Sequence, residues 1–310
     1  MAKYSVVVPV YNSENTLEEL HARLASLFDE KYDGDFELVL VDDSSKDRSA
    51  QIMHELHEKD KRVKAIYMAR NFGQHTALLC GMGHVSGDIV ITMDDDLQHP
   101  PHEVEKLIAY LEQTPQMDVV CGQYESKKHS AIRNLGTNMT NAFTSYIFKK
   151  PKTLHLTSFR AMKRYVADAL CKFTESRPRI GHMLLRTTNR IGNVTVEHNA
   201  RQFGKSGYGF KRLVKDFFNN ILYNSNLPLL VLGYVGVFDV FVSAILILYY
   251  LIRYLVTGYS VAGFATQVII MLASSGLILL GQGIIGHYLA QIVSEAKKGP
   301  LYTIRDKEID

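Results

Sequence analysis

Three short strings in this 310-residue chain place polar or acidic side chains directly after apolar, β-branched runs. Tyr11-Asn12-Ser13 follows Ser5–Val10, Asp42-Asp43 follows Phe36–Val41, and Asp94-Asp95-Asp96-Leu97-Gln98 follows Ile89–Met93. Asp94, Asp96 and Gln98 recur at i, i+2 and i+4, a spacing that can turn successive side-chain oxygens toward one hard cation. Mg2+ or Mn2+, held by one or two carboxylates and by the phosphates of a substrate, suits that ligand set. Such an ion would hold a diphosphate and neutralise its charge on departure, as Lewis acid and template. Asp42 and Asp43 are placed to accept hydrogen bonds from a nucleobase or ribose. Each string alone also fits a solvated turn; three of them, each at the end of a different strand, point to chemistry.

The elements that must position these strings alternate. The runs at Ser5–Val10, Phe36–Val41, Val63–Met68, Ile89–Met93 and Val119–Cys121 read as strands. Between them, Leu17, Leu20, Leu24 and Leu27 mark one helix face, and further helices are expected from near Ser49, over His75–Gly83 and over Pro101–Gln113. Strand and helix in strict alternation predict an α/β domain with a doubly wound, mostly parallel, Rossmann-like sheet. In that architecture ligands sit outside the carboxyl ends of the strands, where Tyr11, Asp42, Asp43 and Asp94–Asp96 fall.

The C-terminal third is different. Leu229–Ile252 is a 24-residue run with Asp239 as its single charge, and Val261–Ile285 is a 25-residue run with none. At 1.5 Å per residue each can cross a hydrocarbon layer roughly 30 Å thick. Arg253–Ser260 is expected to be a hairpin turn. Basic residues flank the outer ends, Lys211, Arg212 and Lys215 before and Lys297, Lys298, Arg305 and Lys307 after, which predicts both termini in the cytoplasm. Phe210, Leu213, Val214, Phe217, Phe218, Ile221 and Leu222 form an apolar stripe, expected as an amphipathic helix in the headgroup layer or as a surface helix packed on the soluble domain. The expected divisions are a catalytic domain over 1–207, a juxtamembrane helix over 208–227, a two-helix transmembrane hairpin over 228–290 and a cytoplasmic tail over 291–310.

Composition excludes other classes. Apolar residues at 46% and charged residues at 22% are wrong for a disordered chain, and a formal charge of +3 gives no basic surface for nucleic acid. Cys80, Cys121 and Cys171 are too scattered for a disulfide framework or a zinc site and are expected to be buried free thiols. The N-terminus lacks a signal-peptide pattern, so the soluble domain is expected to stay in the cytoplasm. Gly281-Gln-Gly-Ile-Ile-Gly286 matches a dinucleotide fingerprint but follows no soluble strand, and its glycines are read as helix-packing positions. His54 and His57 are read as a solvated helix face.

Val8-Pro-Val-Tyr-Asn12, Val41-Asp-Asp-Ser-Ser-Lys-Asp47, Arg70-Asn-Phe-Gly73 and Asp94-Asp-Asp-Leu-Gln-His-Pro-Pro101 together resemble the inverting GT-A glycosyltransferases of family 2. Arg201-Gln-Phe-Gly-Lys-Ser206, the stripe at 210–222 and two C-terminal spans narrow the resemblance to polyprenyl-phosphate glycosyltransferases. That group includes bactoprenol glucosyltransferases, undecaprenyl-phosphate aminoarabinose transferases and dolichol-phosphate mannose synthases. The resemblance implies a GT-A fold, with the nucleoside of the donor held by Pro9, Tyr11, Glu14 and Asp43, together with Asp42. It implies a metal on Asp94, Asp96 and Gln98, with Asp95 near the sugar and diphosphate. Arg201, Lys205 and Ser206 would close over the phosphates, and Arg133 would meet the phosphate of the acceptor. A homo-oligomer at the inner membrane is expected on the same likeness.

One string departs from the pattern. Many relatives carry an acidic residue in Gly-Asp-Phe-Arg, read there as a base, where this chain has Thr157-Ser158-Phe159-Arg160. A phosphate monoester acceptor, with a second pKa of about 6, is mostly dianionic at neutral pH and needs positioning more than deprotonation. Arg133 and Arg160 are expected to supply charge compensation and Ser158 to modify the site. The expected activity is inverting transfer of a hexose-type sugar from a nucleotide donor, a UDP-sugar foremost, to a polyprenyl phosphate. The alternatives are a membrane enzyme that elongates a glycan, disfavoured by the lack of any Trp for a Gln-x-x-Arg-Trp string, and a non-catalytic nucleotide-sugar sensor.

Overall fold

The computed structural model describes residues 3–124, 151, 153–197, 227–257, 263–297 and 299–309. The chain divides into two compact units, Met1–Gly207 with Gly299–Asp310, and Tyr208–Lys298. The first unit runs β1 (Tyr4–Val10), α1 (Leu17–Lys31), β2 (Phe36–Asp42), α2 (Ser49–Lys59), β3 (Val63–Met68), α3 (Gln74–Met82) and β4 (Ile89–Thr92). It continues with α4 (Val104–Gln113), β5 (Val119–Tyr124), β6 (Arg160–Lys163), α5 (Arg164–Cys171), α6 (Ile180–Thr187) and β7 (Ile191–Val196). The helix expected from Pro101 begins as a 3-10 turn, Pro101–Glu103, before α4.

Among the described residues the sheet has the order β7-β5-β6-β4-β1-β2-β3-β8, where β8 is Ile304–Glu308. β4, β1, β2 and β3 are mutually parallel, as expected, whereas β6 and β8 run antiparallel to their neighbours. β1 and β2 are buried along their whole lengths, in register from Tyr4↔Phe36 to Val10↔Asp42. Strands covered on both faces need such unbroken apolar runs. Val6, Val8 and Val10 pack toward Leu17, Leu20 and Leu24 of α1, while Val7, Val39 and Val41 pack toward α3. A Cβ at position 81 would lie 2.4 Å from Val7 Cγ1, so α3 reaches the sheet this closely only because Gly81 has no side chain. That approach sets the start of α3 beside the ends of β2 and β4.

The segment 291–310, expected as a separate tail, contains a strand of the first unit. β8 pairs with β3, Ala69 N–H donates to Thr303 O at 2.9 Å, and Leu301, Tyr302, Ile304 and Ile309 pack on the α3 face of the sheet. Glu308 accepts from Tyr67 Oη at 3.0 Å and lies 2.7 Å from His54 Nδ1. The charges of Arg305–Glu308 that suggest a solvated tail are what an exposed edge strand carries against further pairing. His57 is likewise buried, its Nδ1 2.6 Å from Val63 O, because only one side of α2 faces water. Cys80 and Cys121 are buried as expected, but Cys171, at the end of α5, is exposed.

The second unit contains α7 (Leu227–Thr257) and α8 (Phe264–Ala296). Each holds a window long and apolar enough to cross a membrane, Pro228–Leu246 and Ser274–Ala296. Arg253, expected in the turn, lies within α7, because no glycine or proline interrupts Tyr249–Thr257. Gly281 is buried, with its Cβ position 3.2 Å from Leu232 of α7, so this glycine does serve helix packing, whereas Gly283 and Gly286 face open space. Asp239 is exposed on α7. The expected juxtamembrane helix over 208–227 lies, apart from Leu227, outside the described residues.

Candidate active site

The backbone turns sharply wherever a central strand ends. Asn12 after β1, Ser44 after β2 and Leu97 after β4 adopt φ of 55°, 62° and 57°, and Gly73 after β3 adopts 92°. Left-handed conformations are costly for residues other than glycine and persist where surrounding contacts enforce them. Here the contacts are loop to loop. Asp43 accepts from the N–H groups of Phe72 (2.6 Å) and Gly73 (2.8 Å), which ties the β3–α3 loop to the end of β2. Asn12 N–H donates to Ser45 Oγ at 3.0 Å while its Oδ1 accepts from Lys46 N–H at 2.8 Å, joining the loops after β1 and β2.

The result is a cavity of about 310 Å³ at the carboxyl ends of β1, β2 and β4. Pro9, Tyr11, Asp43 and Asp94–Asp96 line it, as the sequence anticipates. Asn71, Gly73 and Gln74 line it as well. Their string, Arg70–Gln74, is visible in the sequence, but no rule of residue type assigns them a contact. Asp42, Glu14 and Gln98 are not among the lining residues. Asp42 is buried and accepts from Ser45 N–H at 2.9 Å, and Glu14 accepts from Arg48 N–H at 3.1 Å, so both serve the loop after β2. Gln98 fails the expected alternation because Leu97 turns left-handed and breaks the extended path; its N–H caps Asp96 Oδ1 at 3.1 Å. Arg133, Arg201, Lys205 and Ser206 lie outside the described residues.

The three aspartates have different duties. Asp95 accepts from Tyr11 N–H at 3.1 Å and from the hydroxyl of Ser13, so its carboxylate holds the β1–α1 loop. Burial first, with the charges of Asp94 and Asp96, pushes its pKa up to about 6 against those two donors. Asp94 is clamped by neutral donors, Gln74 Nε2 at 2.6 Å on Oδ1 and Ser158 Oγ at 2.7 Å on Oδ2, with His99 Nε2 3.7 Å away. Burial works against its ionisation, but nearby His99, the Ser158 hydrogen bond and the charge of Arg160 outweigh it and hold the carboxyl below its ordinary value. His99 is itself fixed by stacking between Tyr124 and Phe159, at 5.5 and 5.0 Å between ring centroids. Asp43, by contrast, is raised by burial despite its two backbone donors.

Asp94 and Asp96 are hard oxygen donors on an open cavity, which fits a divalent ion completed by ligand phosphates. Among the described residues a second grouping, His102, Glu103 and Glu197, brings three ligand atoms within 4.8 Å of one another. There Lys106 Nζ sits 2.7 Å from Glu103 and Glu197 N–H donates to it at 3.1 Å, so the buried carboxylate is already compensated.

Residues 5–171, spanning β1 to α5, match the family described as Glycosyl transferase family 2. The chain belongs to glycosyltransferase family 2. This glycosyltransferase is 30% identical over 306 residues to undecaprenyl-phosphate 4-deoxy-4-formamido-L-arabinose transferase of Proteus mirabilis, covering 98% of this chain and 93% of the relative. It is 32% identical over 303 residues to the enzyme of the same name from Pseudomonas fluorescens, covering 97% and 88%. Its fold resembles that of glucosyl-3-phosphoglycerate synthase from Mycobacterium tuberculosis, solved with Mn2+, uridine diphosphate and glucosyl-3-phosphoglycerate. The TM-score is 0.52 at 19% identity, over 73% of this chain and 80% of that one. The family 2 domain therefore has the GT-A fold, a mixed α/β arrangement on a mostly parallel sheet, and the protein is a glycosyltransferase.

Proposed function

We propose that this glycosyltransferase moves a sugar from a UDP-sugar to the phosphate of a polyprenyl lipid such as undecaprenyl phosphate, with inversion at the anomeric carbon. One observation carries the reading: a single cavity joins an acceptor wall for a nucleoside, at Pro9, Tyr11, Asp43 and Asn71, to the paired carboxylates Asp94 and Asp96. The acceptor named for the two relatives and the two long apolar helices support a lipid phosphate as the second substrate.

Asp94 and Asp96 would hold Mg2+ or Mn2+. Bound there, the ion would supply charge neutralisation for a departing diphosphate. The remaining work belongs to the chain. Gln74 and Ser158 fix the Asp94 carboxylate, Asp95 fixes the Tyr11 loop, and Asp43 fixes the Gly73 turn under the nucleoside. Arg201, Lys205 and Ser206 would meet the diphosphate and Arg133 the acceptor. Ser158 donates its proton toward Asp94 and is therefore not a base. A phosphate dianion needs none.

The connectivity supports an orientation. The first unit owns the chain on both sides of the helical unit, since β8 returns to the sheet. If α7 and α8 cross a membrane, the two crossings bring the chain back to the side it left, and the basic flanks put that side in the cytoplasm. The test uses full-length protein in nanodiscs with undecaprenyl phosphate, Mn2+ and a panel of labelled donors. The panel is UDP-glucose, UDP-galactose, UDP-N-acetylglucosamine, GDP-mannose and the UDP derivative of 4-deoxy-4-formamido-L-arabinose. Chloroform-extractable label from a UDP-sugar is expected. Label appearing only in water-soluble polymer, or binding of every donor without transfer, contradicts the proposal.

A further inference from the structure

Two adjacent residues near the C-terminus meet both ends of one segment of the site. That segment, Ala69–Gly83, leaves β3, brings Asn71, Gly73 and Gln74 to the cavity and continues through α3. From Thr76 to Met82 every residue of α3 is buried. A helix with no water-facing side must be covered on its outer surface as well as against the sheet. Val166, Ala167 and Leu170 of α5 share a core cluster with Ala77, Leu78, Cys80 and Met82 of α3, and Leu301, Tyr302 and Ile304 pack against that cluster.

A bulge aims these last residues. β8 follows β3 antiparallel from Ala65↔Glu308 to Tyr67↔Asp306, then shifts to Met68↔Ile304, which leaves Arg305 without an opposite residue. Bulges bend a strand and re-aim its side chains, and they collect at sheet edges and beside active sites. On the N-terminal side of this one, Thr303 O accepts from Ala69 N–H at 2.9 Å, just before the Arg70–Gln74 loop. Tyr302 reaches the other end of the segment. Its Oη stands 3.6 Å from where a Cβ of Gly83 would lie, at the C-cap of α3. Chain termini stay loose unless tied down, and this one is tied at the two places that bracket the loop and helix of the site.

We propose that Leu301–Ile304 is a positioning element of the nucleotide site, in which the ring of Tyr302 seats α3 and the carbonyl of Thr303 seats the loop before it. The inference rests on the nucleotide reading of the cavity and adds residues that are not among those lining it. The path from one to the other is short. Asp43 holds the loop through the N–H groups of Phe72 and Gly73 at 2.6 and 2.8 Å, and Gln74 Nε2 holds Asp94 Oδ1 at 2.6 Å. Hydrogen bonds of that length are lost on a displacement of about 1 Å. A misplacement of that size costs a reacting site on the order of 10²-fold. Seating the segment from both ends keeps all three bonds in register. The opposite end of β8 has a different duty: Glu308, 2.7 Å from His54 Nδ1 and 3.0 Å from Tyr67 Oη, fastens the strand to α2 and β3.

The test uses full-length protein in detergent, with UDP and Mn2+ as the probe. Tyr302→Ala is expected to weaken UDP about tenfold by calorimetry. Amide exchange across Asn71–Gln74 should speed up by about the same factor, while exchange across Ser5–Val10 stays as in wild type. Tyr302→Phe keeps the ring and should bring both readings back to the wild-type values. Glu308→Gln should lower Tm and leave UDP affinity unchanged. Wild-type UDP affinity and loop exchange in Tyr302→Ala, whatever its Tm, overturn the inference and make the segment structural only. An equal loss of UDP affinity in Glu308→Gln also overturns it, because any loosening of β8 would then have the same effect. Where Tyr302→Ala does not fold, Tyr302→Leu carries the same readings. A wild type that binds no UDP overturns the nucleotide reading instead, and exchange across Asn71–Gln74 still decides the inference.

Discussion

The two flanks of Asp94 are built on opposite plans. On the β1–β3 side the carboxylates are met by the chain's own donors: Asp43 by Phe72 and Gly73, Asp95 by Tyr11 and Ser13, and Asp42 by Ser45. That side is finished before a ligand arrives, and its loops are locked in conformations they would not otherwise hold. On the β6 side the buried Arg160 keeps an Nη1 donor with no hydrogen-bond partner among the described residues. The difference teaches that preorganisation here is unequal. The β1–β3 flank resembles a rigid mould, and the β6 flank keeps a buried charge that its neighbours leave incompletely paired.

The comparison can be broken first at the carboxylates the flanks share. Asp96→Ala removes a proposed ion ligand. It is expected to cut transfer to undecaprenyl phosphate about 10³-fold, with the circular dichroism spectrum unchanged; turnover near wild type would remove the ion from Asp96. Chelation with excess EDTA should stop the wild type equally, and Mn2+ or Mg2+ should restore it. Next, Asp43→Asn sets an amide N–H against the N–H groups of Phe72 and Gly73. UDP affinity is expected to fall about tenfold by calorimetry, while undecaprenyl phosphate affinity holds.

Ser158→Ala sharpens the picture at the boundary between the flanks. It removes one of two neutral clamps on Asp94, leaving Gln74, and should lower kcat a few-fold with KM for the donor nearly constant. A loss of several thousandfold would instead make Ser158 part of the chemistry. The smallest effect lies away from both flanks. Burial disfavours ionisation of Asp60, but donors from Arg62 and His21 outweigh it and bring the carboxyl down to about 2. A carboxylate depressed on folding contributes stability above its unfolded pKa of about 3.9 and loses it as pH falls through the folded value. Asp60→Asn should therefore lower Tm by a few degrees at pH 7, by less as pH drops below 4, and leave transfer unchanged.

Much of this was legible from residue order, for physical reasons. β1 to β4 are buried on both faces and so advertise themselves as apolar runs, and the polar strings that follow them mark the rim of the site. β6 is four residues long and contains Arg160 and Lys163; β7 is half polar; β8 is charged along most of its length. Such strands are specified by their partners, and pattern alone passes over them. In the site, the i, i+2, i+4 argument for Gln98 assumed an extended backbone that Leu97 breaks. Asp95 could not be told from its neighbours by type, because its duty comes from Tyr11 and Ser13, more than 80 residues away. The same holds for Gln74 and His99, whose roles exist only once α3 and the Tyr124–Phe159 stack close around Asp94.

The most direct test of the account is the position of the ion and nucleotide in crystals of the full chain grown with UDP and Mn2+. An anomalous manganese peak bridging Asp94 and Asp96 to the diphosphate, with uracil over Pro9, Tyr11 and Asp43, is the predicted result. A diphosphate lodged outside the cavity at Pro9, Tyr11 and Asp43, or manganese bound away from both aspartates, would contradict it.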